Sequence, residues 1–199
     1  MGSSQLFHHH PIMLGVWIAT WALWMIPETI LSIRLRSAKD AQKADRGSRI
    51  VVLGSVFLGI YLGFIAAYFV PSLFVGTHWK AVFSLGIAVW IGGIFLRLYS
   101  IRILGRFFTF DVAIANGHRI VEQGPYRWLR HPSYLGSLLA QVGFGMTMTN
   151  WLAMLLPVCC LAAAYAYRIP IEEQALVRGL GSDYSDYMRR TWRLIPFVY

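Results

Sequence analysis

The chain has 199 residues, 57% of them hydrophobic and 14% charged, against a charged fraction of about 25% in soluble domains. It therefore holds one domain or at most two small ones, and its apolar excess points to a bilayer rather than a soluble core. The formal net charge of +9 comes from basic residues scattered among long apolar runs with no separate basic domain, which excludes a nucleic-acid partner and fits the positive-inside bias of membrane proteins.

The first apolar segment, Pro11 to about Leu31, is long enough to span about 30 Å of hydrocarbon. No small-residue cleavage site follows it, so it reads as a retained helix. Pro27 and Glu28 sit near its far end, where a glutamate reaches the headgroups. The opening M-G-S-S with His8, His9 and His10 carries no functional weight. Ser32 to Arg49 follows, with six Lys or Arg against Asp40 and Asp45, and reads as a solvated, lipid-facing charge run. The second span runs from Ile50 to Val70 and the third from Trp79 to about Tyr99. Gly54, Gly59, Gly63, Gly86, Gly92 and Gly93 permit close helix approach in these two spans.

Beyond the third span the chain turns polar up to Ser133. Two further apolar helices, Tyr134 to about Thr149 and Trp151 to Tyr167, join at Asn150. At 16 and 17 residues they are short for complete crossings and form a hairpin that returns to the side it left. In the tail, Pro170 followed by Glu172 and Glu173 reads as a helix start. Cys159 and Cys160 are adjacent packing residues with no metal or disulfide spacing. No metal-ligand cluster stands out, so no metal is expected.

Regions 32–49, 97–133 and 168–199 hold six, six and five of the basic residues, and Lys80 alone falls on the other side. The first side is thus expected to be cytoplasmic. Two polar patches share it. The stretch Gly117 to Tyr134 sets His118, His131 and three arginines beside the bilayer, and burying such groups unpaired costs several kcal/mol each, on the order of 2–7. The second patch is Arg168 with Glu172 and Glu173. Adjacent glutamates cannot share a helix face, so one of them suits pairing with a cation. Arg168 lies four positions before Glu172, a spacing that serves a simple salt bridge or a ligand carrying both an ammonium and a carboxylate.

The ordered set H-x-I-V from His118, G-P-Y from Gly124, R-H-P-S-Y from Arg130, a hairpin, R-x-x-x-E-E from Arg168 and G-x-x-Y-x-x-Y from Gly181 resembles the isoprenylcysteine carboxyl methyltransferase family of integral membrane enzymes, over about Gly105 to Pro196. The resemblance implies S-adenosyl-L-methionine as cofactor, held by His118, Arg119, Ile120, Val121, Tyr126, His131, Pro132, Ser133, Tyr134 and Glu172. It implies Arg168 as the catalytic residue that binds an acceptor carboxylate. A carboxylate is already a nucleophile, so positioning and desolvation replace a general base.

The resulting expectation is an all-α integral membrane protein with five transmembrane segments, the last two a short helical hairpin, and a cytoplasmic C-terminal cofactor pocket. Residues 1–99 form a three-helix membrane region and 100–199 the catalytic region, in a prokaryotic inner membrane. The methyl group goes to a lipophilic or lipid-modified acceptor, foremost a carboxylate. A phospholipid amine or thiol acceptor, an NADPH-dependent reductase of the steroid-reductase type and a non-enzymatic scaffold or transporter remain open.

Overall fold

A computed structural model describes residues 10–34, 42–43, 45–114 and 119–196. Among these residues six α-helices carry the architecture: α1 (Pro11–Arg34), α2 (Ser48–Phe69), α3 (Trp79–Leu104), α4 (Pro132–Thr147), α5 (Trp151–Leu180) and α6 (Ser182–Arg190). A two-residue antiparallel ladder joins β1 (Gln42–Lys43) to β2 (Ala113–Ile114), with Gln42 opposite Ile114. It ties the α1–α2 connection to the segment after α3.

Four helical stretches, Pro11–Arg34, Ser48–Phe69, Gly76–Phe107 and Trp151–Leu180, are long and apolar enough to cross a membrane. Their outward faces carry large apolar side chains such as Ile12, Phe57, Phe69 and Phe95, all more than half exposed. A soluble monomer does not present apolar surface on this scale, so the chain is an integral membrane protein. The expected fifth span corresponds to α4, whose 16 residues fall short of the other four.

Helix pairing follows from where side chains are missing. Helix α3 packs on α4 with almost no gap: a Cβ added at Gly143 would stand 2.2 Å from the Trp90 amide nitrogen, and one at Gly93 2.4 Å from that of Ala140. Helix α2 meets α5 where a Cβ on Gly59 would lie 2.7 Å from the Pro157 Cα. Gly54 and Gly92, also assigned to close approach, have nothing within 4 Å of such a Cβ and serve no packing role. Around these seams Trp24, Trp90 and Phe144 interlock edge to face, with Trp90 5.8 Å from Trp24 and 5.4 Å from Phe144, a geometry that adds to the area they bury.

The α4–α5 turn lies at the end of the bundle opposite the polar patches. Asn150 caps α5 by accepting from the amides of Leu152 at 3.0 Å and Ala153 at 3.1 Å, as an N-cap asparagine should. Its amide also donates to the Val70 carbonyl at 2.8 Å, where α2 ends.

One boundary differs from expectation. No helix starts at Pro170: α5 runs unbroken for 30 residues through Pro157 and Pro170. An interior proline costs a helix about 3 kcal/mol, and here tertiary contacts offset that cost. Ile169 is fully buried, and Arg168 and Glu173 on either side are anchored by several hydrogen bonds each. The third span likewise continues past Tyr99 to Leu104.

Candidate functional site

The polar segment before α4 is held from below by the tail. The chain after α6 runs beside residues 128–131: the Trp192 amide donates to the Trp128 carbonyl at 2.8 Å, and the Arg130 and His131 amides donate to the Trp192 and Arg193 carbonyls at 2.8 and 3.1 Å. Gly124, with φ of +55°, takes the left-handed turn that lets Tyr126 fold under, and the Tyr187 hydroxyl donates to the Tyr126 carbonyl at 2.7 Å. Together with the bonds from Arg130 and His131 to Glu173, these contacts bring residues 119–134, the described part of the first patch, against the second.

Glu173 is the buried anchor of this layer. Its Oε1 accepts from Arg130 Nε at 2.8 Å and lies 3.3 Å from His131 Nε2, and its Oε2 accepts from Arg193 Nε at 2.9 Å. Arg130 thus points inward rather than toward headgroups. The adjacent Glu172 takes the other role. It lines a cavity with two lobes, of about 500 and 530 Å³ counted with their open mouths, that share the polar side chains of Tyr126, Arg130, His131 and Glu172.

The expected cofactor residues distribute over this cavity in order. Arg119, Ile120 and Val121 line the outer lobe, Tyr126, His131 and Glu172 line both, and Ser133 and Tyr134 line the inner one. Pro132 is fully buried as the first residue of α4 and lines neither lobe. His118 lies outside the described residues. The Tyr126 hydroxyl, whose approach to Ser133 does not reach hydrogen-bond geometry, is buried with no partner among the described residues. Burial, reinforced by the Glu172 charge, holds its phenol well above the ordinary tyrosine range. A neutral hydroxyl donor facing this cavity asks for an acceptor that the described residues do not supply.

A second cleft, of about 820 Å³ including its mouth, opens among α1, α2, α4 and α5. Its walls are Met25, Val52, Leu53, Val56, Phe57 and Leu161, and its inner end carries Glu28, Arg97, Thr109, Tyr134 and Arg168. Phe108, Thr109 and Tyr134 line both this cleft and the inner lobe. At the junction Tyr134 is stacked between His131 (5.3 Å, 4°) and Tyr165 (4.4 Å, 15°). Its hydroxyl donates to Glu172 Oε2 and accepts from Arg168 Nε at 2.8 Å. Arg168 and Glu172 are therefore joined through a tyrosine rather than as the simple salt bridge that their spacing allowed.

Several site residues lay outside the sequence reading. Glu28 does not reach the headgroups; it turns inward and grips Arg97 through both carboxylate oxygens, which removes two charges from lipid at once. The 32–49 connection is not simply a solvated charge run, since Asp45 and Ser48 bind Arg168 at 3.0 and 2.9 Å. Arg49 of the same run meets Asp111 at 3.2 Å. The clue to Glu28 was an acid and a base each placed within an apolar span. The clue to Asp45 was D-x-x-S ahead of another span, which is helix-capping chemistry.

Fold and site together define an α-helical membrane protein in which a cavity lined by polar side chains meets an apolar cleft at Phe108, Thr109 and Tyr134. The chain belongs to the isoprenylcysteine carboxyl methyltransferase (ICMT) family: that family's model matches residues 85–178. Protein-S-isoprenylcysteine O-methyltransferase A of Arabidopsis thaliana is 31% identical over 183 residues, 87% of either chain. The Tribolium castaneum protein-S-isoprenylcysteine O-methyltransferase is 34% identical over 139 residues, 68% of this chain and 48% of its own. A solved structure of the eukaryotic intramembrane Ras methyltransferase ICMT superposes with a TM-score of 0.59 at 31% identity, covering 75% of this chain and 52% of that one. The chain thus spans about half the length of the latter two. These relatives are eukaryotic and lend no support to a prokaryotic inner membrane.

Proposed function

We propose that this chain is an S-adenosylmethionine-dependent methyltransferase that esterifies the carboxylate of a lipophilic acceptor, of the isoprenylcysteine class named in its relatives. The observation that carries the reading is Tyr134, shared by the polar cavity and the lipid-side cleft and bonded to Glu172 in one and Arg168 in the other.

The polar cavity suits the cofactor. Glu172 offers a carboxylate to an ammonium group, Tyr126 an unspent hydroxyl, His131 and Ser133 further polar contacts, and Arg119, Ile120 and Val121 an outer wall. When bound, S-adenosylmethionine supplies a methyl group on a positively charged sulfur. The protein's own part is arrangement. Glu173 fixes His131 and Arg130, so the cavity floor is set before any ligand arrives. The apolar cleft excludes water from an acceptor tail, and Arg168 orients the carboxylate at its inner end. The acceptor oxygen contributes the electron pair of the new O–CH3 bond, the sulfur keeps the pair of the bond that breaks, and no proton changes hands. Positioning and desolvation suffice for such a step.

In this reading the site faces the cytoplasm, because the basic residues cluster at its end of the bundle, and α4 completes a fifth crossing. The test is calorimetric titration of the detergent-purified protein with S-adenosylhomocysteine, with NADPH as the competing ligand. Affinity of about 1–100 μM for the first and none for the second is expected. The reverse pattern would overturn the reading in favour of a reductase, and binding of neither would favour a scaffold.

A further inference from the structure

The guanidinium assigned to the acceptor is already largely engaged. An arginine has five N–H donors, and four of those on Arg168 reach acceptors inside the protein. Nε donates to the Tyr134 hydroxyl at 2.8 Å, Nη1 to Asp45 Oδ1 at 3.0 Å and to Ser48 Oγ at 2.9 Å, and Nη2 to the Phe110 carbonyl at 2.6 Å. One N–H, on Nη2, has no acceptor among the described residues and is left for a ligand.

Asp45 is no loose gate that a second carboxylate could push aside. Its Oδ1 also accepts from Ser48 Oγ at 2.9 Å and the Val112 amide at 3.1 Å, and its Oδ2 from the Arg49 amide at 3.1 Å. Burial works against its charge, but the Arg49 and Val112 amides, Ser48 and Arg168 outweigh it and hold the carboxyl below its ordinary range. A carboxylate with this many donors stays ionised and in place.

Building on the methyl transfer proposed above, we infer that Asp45 is a positioning residue that fixes the Arg168 guanidinium and offsets its charge, so that the acceptor carboxylate is oriented by a single N–H and remains nucleophilic. The chemistry gives the reason. The acceptor's negative charge disappears as the ester forms, so attraction to a bare cation is stronger in the ground state than in the transition state. Such an attraction lowers KM and kcat together. A guanidinium balanced by an internal aspartate orients the nucleophile without over-stabilising it.

Two measurements test this. In the unmodified protein with S-adenosylhomocysteine bound, an N-acetyl S-isoprenyl cysteine and its carboxamide analogue should bind within about threefold of each other, because Arg168 presents little uncompensated charge. A tenfold or greater preference for the carboxylate would overturn the inference. In Asp45→Asn, the acceptor KM should fall by about fivefold and kcat by about tenfold or more, with S-adenosylhomocysteine affinity within about twofold of the parent. Asp45→Glu, which keeps the charge, should return both parameters toward the parent values. A raised KM, or parameters that do not move, would overturn it, and if Asp45→Asn does not fold the analogue comparison decides alone. Absence of turnover in the unmodified protein would instead count against the methyltransferase reading itself.

Discussion

Glu28 holds Arg97 through both carboxylate oxygens in a largely buried pair: their side chains are 20% and 10% exposed. Removing one member of a buried pair strands the other, at a cost of about 3–5 kcal/mol, whereas removing both in favour of apolar residues is often close to neutral. Glu28→Ala should therefore sharply lower the thermal midpoint in detergent, and the double change Glu28→Met with Arg97→Met should recover most of the loss. A double-mutant cycle read by thermal unfolding provides the check.

The neighbours Glu172 and Glu173 should fail in different ways. Glu172→Ala should weaken S-adenosylhomocysteine binding by about tenfold or more with little loss of stability, because its carboxylate lines a cavity and, among the described residues, bonds only the Tyr134 hydroxyl. Glu173→Gln removes the charge that binds Arg130, His131 and Arg193 and should destabilise the protein by about 3 kcal/mol. Calorimetry and thermal unfolding on the same two preparations separate the cases.

His131→Ala should also weaken cofactor binding, while Arg168→Ala should spare it and abolish turnover, since Arg168 lines the acceptor cleft and not the polar cavity. Equal loss of S-adenosylhomocysteine affinity in both variants would show that the two compartments are wrongly divided.

The glycine seams can be probed with one methyl group. Gly143→Ala and Gly93→Ala place a Cβ within 2.4 Å of facing backbone, which no side-chain movement can relieve, so each should destabilise by about 2 kcal/mol or more. Gly92→Ala meets nothing within 4 Å and should be neutral. Monodispersity and thermal midpoint after extraction are the measurements.

Alkaline pH should loosen the cap around the polar cavity. Burial, joined by nearby acidic groups and tyrosines, raises the phenols of Tyr126, Tyr184 and Tyr187 above the ordinary tyrosine value. Below about pH 10 both folded and unfolded phenols are neutral and stability is flat. Above it the unfolded phenols ionise while the folded ones resist, and stability falls by about 1.4 kcal/mol per pH unit for each group. Thermal unfolding between pH 8 and 11 should show this slope, and Tyr184→Phe should reduce it.

Apolar length made the membrane class and the first three helices legible, and the order of the polar motifs pointed to the two patches that the fold brings into contact. Charged residues near span ends were harder, because the same spacing serves headgroup contact and inward pairing. Glu28 took the inward course because Arg97 of another helix stood ready, a relation that no local pattern contains. Asp45 went unread for the same reason: its partner Arg168 lies on the last long helix. Pro170 misled in the opposite sense, since local preference predicts a helix start and only the packing around Ile169 carries the helix through.

The unbroken course of α5 has a mechanical consequence. Arg168 and Glu172 lie one turn apart on it, about 6 Å along its axis, so the acceptor and donor contacts proposed for them ride on one continuous helix. When bilayers of different thickness tilt that helix, the depth from which lipid tails enter would shift, but the spacing between the two proposed contacts would not.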